Sequence, residues 1–290
     1  MKYFCVFLFM ISACALSQPN TEVYLMDLER SDSTFTISNF KNISNSDGYD
    51  NQPSFIDNNR LLFAGSENGQ TEIMMYAISE NKRHRINAVT SGGEYSPQLM
   101  PNGKQVAAVR LDTTGLQRLY AYPLNTPGTG TATMLLSDLE VAYYAFYDET
   151  YLVASVFSGG QLDLVIANIP KDEAGLYVEN AGRSIHKVPN TTTVSYTVVN
   201  EEKNLDVYIV DVNKAKDTYF VCQLPVGIQD HTWLDATTLL LGSGSKLYVY
   251  DMFGPGEWVE VADLSAKNIK NITRISVSRD RKHIAFVAEI

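Results

Sequence analysis

The stretch Pro53–Ile78, PSFIDNNRLLFAGSENGQTEIMMYAI, contains three short apolar runs separated by two polar turns. Residues 57–59 form the first turn and residues 65–70 the second, and Asp and Asn favour such turns because their side chains bond nearby backbone. None of the runs is long enough for an amphipathic helix of ordinary length, so the stretch predicts three strands. Such a small sheet cannot bury its faces alone, which predicts further copies of it along the chain.

Six copies of this pattern follow one another at intervals of 42 to 47 residues. Each copy has an apolar residue before its first turn, at Phe55, Leu99, Phe146, Val188, Trp233 and Val277. Each also has Asp or Asn inside that turn, at Asp57, Asn102, Asp148, Asn190, Asp235 and Asp280. A period near forty with about four strands per copy predicts an all-β, six-bladed β-propeller with four-stranded antiparallel blades.

The third strand of each copy indicates how the ring closes. It reads polar, aliphatic, then usually Tyr, although the first example, Glu72-Ile73-Met74, ends in Met. After Val277 the chain ends before such a strand, whereas Glu22-Val23-Tyr24 supplies the pattern near the N-terminus. We therefore predict that residues 272–289 form the two inner strands of the last blade and residues 21–44 the two outer strands. Closure of this kind hides edges that an open array would expose.

The first 17 residues are expected to be an export signal, and residues 21–290 a single propeller domain. Lys2 is a short positive region, and residues 3–11 are an apolar run that is too short to span a bilayer. Small residues follow, as they do before the cleavage site of a secretory signal. The chain is therefore predicted to be exported.

Two processing sites compete at the end of this signal. Ala15-Leu16-Ser17 before Gln18 fits an ordinary signal peptidase, whereas Ile11-Ser12-Ala13-Cys14 resembles a bacterial lipobox. In the second case Cys14 becomes a lipidated N-terminus. The two sites predict either a soluble periplasmic protein or an outer-membrane lipoprotein of a bacterium.

Composition restricts the partners. The formal net charge is −10, with no basic run interleaved with aromatic residues, so nucleic acid and anionic membrane surfaces are poor partners. Contact with a membrane is expected only through the lipid anchor. The most basic stretch, residues 82–85, falls at a turn between strands and is predicted to be a solvated edge. Cys222 is predicted to be a small buried hydrophobe on an outer strand rather than a reactive thiol.

A family resemblance is carried by the second copy. Gly93-Glu94-Tyr95-Ser96-Pro97, followed by residues 100–104, MPNGK, and an apolar run, resembles the propeller repeat of TolB-type proteins. The match is close only in the first two copies, and we expect no counterpart of the α/β domain that precedes the propeller in TolB. The resemblance implies six blades, an envelope location and a binding role, and it supplies no catalytic residues.

Motifs that carry chemistry are missing from the sequence. It has no Gly-x-Ser-x-Gly elbow, no phosphate-binding Gly-rich loop and no His-Glu-x-x-His pair. Alignment of the copies places His186 and His231 at equivalent positions of adjacent blades, near the mouth of the channel, with Asp230 beside them. We expect two histidines without a metal there, and no cofactor.

The loops that lead into the innermost strands differ from copy to copy, and strand geometry does not dictate their aromatic and charged residues. Tyr offers a large contact area at low entropic cost, and charged neighbours fix orientation. We therefore predict that these loops bind an envelope protein, peptide or glycan without catalysis. The alternative is an envelope hydrolase or lyase with its site at the channel mouth. The candidate residues are Tyr49, Asp50, Glu94, Tyr95, Tyr143, Tyr144, His186, Asp230, His231 and Arg274.

Overall fold

The computed structural model describes residues 19–31, 34–214 and 217–289. The predicted export signal, including Cys14, lies outside the described residues. The described chain forms six antiparallel sheets of four strands each, as the repeat pattern predicts. Each sheet is one blade of a propeller, and we number the blades in chain order with their strands from innermost to outermost.

The first three blades follow the chain directly. Their strands are β3 (Asn51–Phe55), β4 (Arg60–Glu67), β5 (Gln70–Ala77) and β6 (Lys82–Arg85) in blade 1; β7 (Gly93–Leu99), β8 (Gln105–Leu111), β9 (Gln117–Pro123) and β10 (Thr133–Met134) in blade 2; and β11 (Val141–Phe146), β12 (Tyr151–Ser158), β13 (Gln161–Asn168) and β14 (Glu173–Val178) in blade 3.

The innermost strands of blades 4 and 5 are only two residues long. The strands are β15 (His186–Lys187), β16 (Thr193–Val199), β17 (Leu205–Asp211) and β18 (Thr218–Gln223) in blade 4, and β19 (Thr232–Trp233), β20 (Thr238–Ser243), β21 (Lys246–Asp251) and β22 (Val259–Asp263) in blade 5. The connections between strands contain three short 3-10 turns, at Ile169–Lys171, Val212–Lys214 and Ser265–Lys267.

Blade 6 joins the two ends of the described chain. Its strands are β23 (Ile272–Val277), β24 (His283–Glu289), β1 (Thr21–Ser31) and β2 (Thr34–Asn42). β1 pairs with β24 over seven residues, from Thr21 opposite Glu289 to Asp27 opposite His283. The predicted shared blade is therefore confirmed.

The core is divided among the junctions between blades. Six clusters of buried side chains each join two neighbouring blades, including one between blades 5 and 6 and one between blades 6 and 1. Because side chains alternate along a strand, β24 contributes to both of these last two clusters. Phe286 packs toward blade 5, and Ala285 and Val287 pack toward blade 1. The hydrophobic contacts thus run around the full circle.

The repeated Asx residues hold the turns between the first and second strands. In five of the six copies the side-chain oxygen accepts a hydrogen bond from the backbone N–H two residues later, as Asp57 does from Asn59 at 2.8 Å. The sixth, Asn190, takes a left-handed φ of 59°, and Thr191 accepts from the backbone of Thr193 instead. The recurrence therefore reflects turn geometry.

Two local expectations can be compared with the structure. Lys82–Arg85 forms β6, the outermost strand of blade 1, and not a turn; three of its four residues are exposed, as expected of a solvated edge. Cys222 lies on the outer strand β18 and is buried, and burial raises the pKa of its thiol to about 12. No helix in the described part of the chain is both long and apolar enough to cross a membrane.

Candidate functional site

One face of the propeller carries the loops that lead into the innermost strands and the turns that join second to third strands; we call it the top face. All ten predicted site residues lie there, in those loops or near the start of an innermost strand. They divide into a charged cluster at the axis, tyrosines beside it, and side chains buried between or beneath the loops.

The charged cluster consists of Arg183, Asp230 and Arg274, which we call the arginine cluster. Arg183 donates from Nε to Asp230 Oδ2 at 2.7 Å and also from Nη2, while Arg274 Nη1 donates to Asp230 Oδ1 at 2.7 Å. Arg183 leads into blade 4, Asp230 into blade 5, and Arg274 belongs to β23 of blade 6. Three blades thus meet through one carboxylate that accepts from two guanidinium groups.

Burial is what makes this cluster unusual. The side chains of Arg183, Asp230 and Arg274 are 28%, 9% and 14% exposed. Burial has the largest single effect on the pKa of Arg274 and lowers it, but Asp230, Tyr143 and Tyr49 together raise that pKa above its usual value. With two cations and one anion, the cluster has an excess of positive charge in a chain whose net charge is −10.

Three of the predicted tyrosines lie beside the cluster. The Arg274 guanidinium lies 5.2 Å from the centroid of the Tyr143 ring, within the range of a cation–π contact. The rings of Tyr49 and Tyr95 meet edge to face at 5.9 Å. Burial raises the pKa of Tyr49 to about 12 even though Arg274 acts in the opposite direction, so this hydroxyl stays neutral.

Two of the predicted site residues have buried, hydrogen-bonded side chains. Asp50 is 0% exposed, and it accepts from the Ser66 backbone N–H at 3.0 Å and from Ser46 Oγ at 2.5 Å. Tyr144 is 2% exposed, and its hydroxyl lies 2.8 Å from the carbonyl oxygen of Ser96 in blade 2. Neither side chain faces solvent, so both support the site from below.

Glu94 is also buried, and it belongs to a network between blades 1 and 2 that sequence reasoning missed. Its Oε1 accepts from Thr90, Arg110 and Tyr122 at 2.8, 3.1 and 3.1 Å. Its Oε2 is buried without a hydrogen-bond partner among the described residues. Burial, followed by the adjacent charge of Glu94, raises the pKa of Glu72 to about 7 despite a hydrogen bond from Asn87.

The two predicted histidines meet side by side, with ring centroids 5.1 Å apart. Ser184 Oγ lies 3.0 Å from both His186 Nε2 and His231 Nδ1, and Ser195 Oγ lies 3.1 Å from His231 Nε2. Burial lowers the pKa of His186 to about 4 and that of His231 well below 6.5. Both imidazoles are therefore neutral at pH 7.

This serine–histidine arrangement is poorly suited to covalent catalysis. Ser184 and His231 are each 1% exposed, so a substrate cannot reach the hydroxyl. Both ring nitrogens of His231 already face hydroxyl groups, which leaves no lone pair directed at a metal. Within the described residues, no group of three or more His, Cys, Asp or Glu is placed to hold a metal ion.

Three cavities meet at Arg183. The largest has a volume of about 390 Å³ and lies over blade 4, and two smaller ones of about 130 and 80 Å³ lie between blades 5 and 6 and at the axis. Tyr143 lines two of the three cavities and Arg274 lines the two smaller ones. Sequence reasoning missed Arg183, although it lies three positions before His186 in the same loop.

The top face also exposes apolar side chains. Among the described residues, five large hydrophobics that are at least 36% exposed lie in its loops or at the strand ends beside its turns, namely Val89, Leu116, Phe157, Val199 and Val226. In the part of the chain that the structure describes, the opposite face has Phe253, and the other exposed large hydrophobics lie on outer strands. Exposed apolar residues around a concave polar centre are typical of an interaction surface.

Comparison with solved structures shows which propellers share this architecture. A protein assigned as TolB from Agrobacterium tumefaciens superposes with a TM-score of 0.69 over 94% of this chain and 99% of its own, at 11% sequence identity. The fold is that of the TolB β-propellers. TolB from Acinetobacter baumannii gives a TM-score of 0.58 at 13% identity. The superposition covers 93% of this chain but 64% of that longer protein.

The same architecture also occurs in an enzyme. An oligogalacturonate lyase in complex with manganese gives a TM-score of 0.59 over 95% of this chain and 98% of its own, at 11% identity. No protein-family model matches the sequence, and no curated protein matches it significantly. At these identities the likeness to TolB and to the lyase establishes the fold alone.

Proposed function

We propose that this chain is a non-catalytic binding protein of the bacterial envelope, which binds a protein or peptide partner through its top face. The observation that carries the proposal is the arginine cluster. It is a rigid, partly desolvated charged group at the junction of three cavities, on the face that has five exposed apolar side chains. Apolar anchors around a few fixed polar groups are the usual composition of a binding site.

An envelope location is supported by the sequence of residues 1–17, which has the parts of an export signal. The TolB-like fold is consistent with it. Attachment to a membrane is proposed only through a lipid on Cys14.

The hydrolase or lyase alternative has weaker support. The Ser184 hydroxyl is buried against two neutral histidines, and the cluster at the axis contains a carboxylate that already accepts from two arginines. A general acid or base must be free to reach substrate, and Asp230 is not.

Site-specific photo-crosslinking in cells tests the proposal. A photoreactive residue at Val226, which is 84% exposed on the top face, is expected to crosslink to a discrete partner. The matched control is Phe253, which is 82% exposed in a turn on the opposite face. Crosslinks from position 253 but not from position 226, or equal products from both, would contradict a binding role for the top face.

A further inference from the structure

The three cavities around Arg183 share an excess of positive charge. Their ionisable lining groups, apart from tyrosines, are three cations, Arg183, Lys203 and Arg274, and one carboxylate, Asp230. The positive excess therefore belongs to the whole depression and not only to the arginine cluster. Opposite charge attracts a partner to such a depression and fixes its register, which makes an acidic partner the complementary one.

The two guanidinium groups are held ready for a second carboxylate. Asp230 fixes both of them, and Arg183 Nη2 also donates to the Thr273 carbonyl oxygen at 3.3 Å, so little side-chain entropy remains to be lost on binding. An arginine has five N–H donors, and these bonds use only part of them. Planar guanidinium groups bind carboxylates with two parallel hydrogen bonds, a geometry that an ammonium group does not offer.

The cavity over blade 4 is of another kind. Its lining includes the apolar side chains of Leu162, Val199, Leu205 and Ile228, and also Arg183 and Lys203. Its volume of about 390 Å³ falls within the range of about 300–1,000 Å³ that is typical of small-molecule pockets. One or two apolar side chains would therefore fit beside the group that Arg183 binds.

From these observations, and resting on the proposed function, we infer that the top face binds an extended peptide segment in which an acidic residue is adjacent to an apolar one. The side-chain carboxylate is bound by Arg183 and Arg274, and the apolar side chain enters the cavity over blade 4. Cavities lie on both sides of Arg183, so the peptide continues in both directions. This favours an internal Asp or Glu over a terminal carboxylate.

An array of synthetic octapeptides with blocked termini tests this inference with the full exported chain. In the main set the central residue is Asp, Asn or Lys, and its neighbours are Leu or Ser. A further set of peptides has a free C-terminal carboxylate and no acidic side chain. Binding is expected for the Asp peptides with a Leu neighbour. Replacing Asp by Asn is expected to raise Kd about ten- to hundredfold, which is the usual effect of losing a hydrogen bond between charged groups.

Variants of the protein identify the residues responsible. Arg183→Gln is expected to abolish the preference for Asp over Asn, and Arg281→Gln on the opposite face is the matched control that leaves it unchanged. Because Arg183 also pairs with Asp230, the thermal midpoint of each variant is measured. Lys203→Glu, a change at an exposed turn residue, is the second test and is expected to reduce the preference without loss of stability.

Each other outcome overturns the inference. If Asp and Asn peptides bind equally, or neither binds, no acidic residue is recognised. If only the peptides with a free C-terminus bind, the occupant is a terminal carboxylate and not an internal residue. In all these cases the crosslinking at Val226 still decides separately whether the top face binds a partner.

Discussion

The imidazole rings of His186 and His231 lie 5.1 Å apart, although 45 positions separate the residues in the sequence. That separation is one repeat, so the rings occupy the same height in neighbouring blades. They share the hydroxyl of Ser184, which lies 3.0 Å from a nitrogen of each ring. The pair stays neutral in the folded protein, and this has a consequence for stability.

Acid is expected to destabilise the fold through this pair. The pKa of His186 falls from 6.5 in the unfolded chain to about 4 in the folded one, so the unfolded state binds more protons between these values. The contribution of the neutral His186 imidazole to the free energy of unfolding is therefore fully present above pH 6.5 and is lost as pH falls toward 4. Thermal midpoints across this range are expected to fall less steeply with acid in His186→Asn, whereas His84→Asn, at an exposed residue of β6, is expected to keep the wild-type slope.

Glu72 is expected to act in the opposite direction. Its pKa rises from 4.5 to about 7 on folding, so the folded state binds more protons between these values. The contribution of Glu72 to the free energy of unfolding is therefore fully present below pH 4.5 and is lost as pH rises through 7. Glu72→Gln should flatten that decline, because an amide next to Glu94 carries no charge and can donate a hydrogen bond to its buried Oε2. Denaturant titrations at pH 5 and pH 8 measure the change. The exposed control Glu80→Gln is expected to keep the wild-type decline, and a decline that persists unchanged in Glu72→Gln would contradict the assignment.

Closure of the ring is expected to dominate stability. Phe286 of β24 is 0% exposed and stacks on Tyr24 of β1 with ring centroids 5.4 Å apart. Phe286→Ala removes this contact and is expected to cost about 3–5 kcal/mol. Tyr219→Ala, at a residue that is 60% exposed on an outer strand, is expected to change the free energy of unfolding by less than about 0.5 kcal/mol.

Deletion of residues 21–44 is a stronger version of the same test. It removes β1 and β2, exposes the edge of β24 and opens the cluster between blades 6 and 1. The midpoint of unfolding is expected to fall far more than for any surface change. An unchanged midpoint would contradict the contribution of the shared blade to stability.

The tyrosines beside the arginine cluster are expected to contribute to binding. Once the crosslinked partner is identified, Tyr95→Ala combined with Tyr143→Ala should weaken its Kd while the thermal midpoint holds, because both side chains lie on the top face and are only partly buried. Isothermal titration calorimetry measures the affinity. Unchanged affinity, or a loss that unfolding accounts for entirely, would contradict the role of these two residues.

The processing of the N-terminus remains a prediction that mass spectrometry can decide. If Cys14 is lipidated, the mature chain begins with a modified cysteine, partitions into detergent, and loses the modification in Cys14→Ser. A mature N-terminus at Gln18 would instead indicate an exported protein without an anchor.

Much of the fold could be predicted because its causes are local and repeated. Asp57 and its counterparts accept from backbone within their own turns, so the turn pattern shows in any short window of sequence. The closing blade followed from a count of strands in each copy. The site was harder, because loops such as the one containing Arg183 follow no repeat. The binding role of the ten predicted residues stays a prediction.

By itself the sequence determined the six-fold repeat, the four-stranded blades and the shared last blade, since period and alternation of apolar residues dictate which strands pair and which faces are buried. Only the tertiary structure decided which charged groups meet. Arg183 and Arg274 lie 47 and 44 positions from Asp230, and convergence of three blades at the axis brings them within 2.7 Å of it. Contacts of that kind depend on side-chain direction and on burial, which a pattern of residue types does not encode.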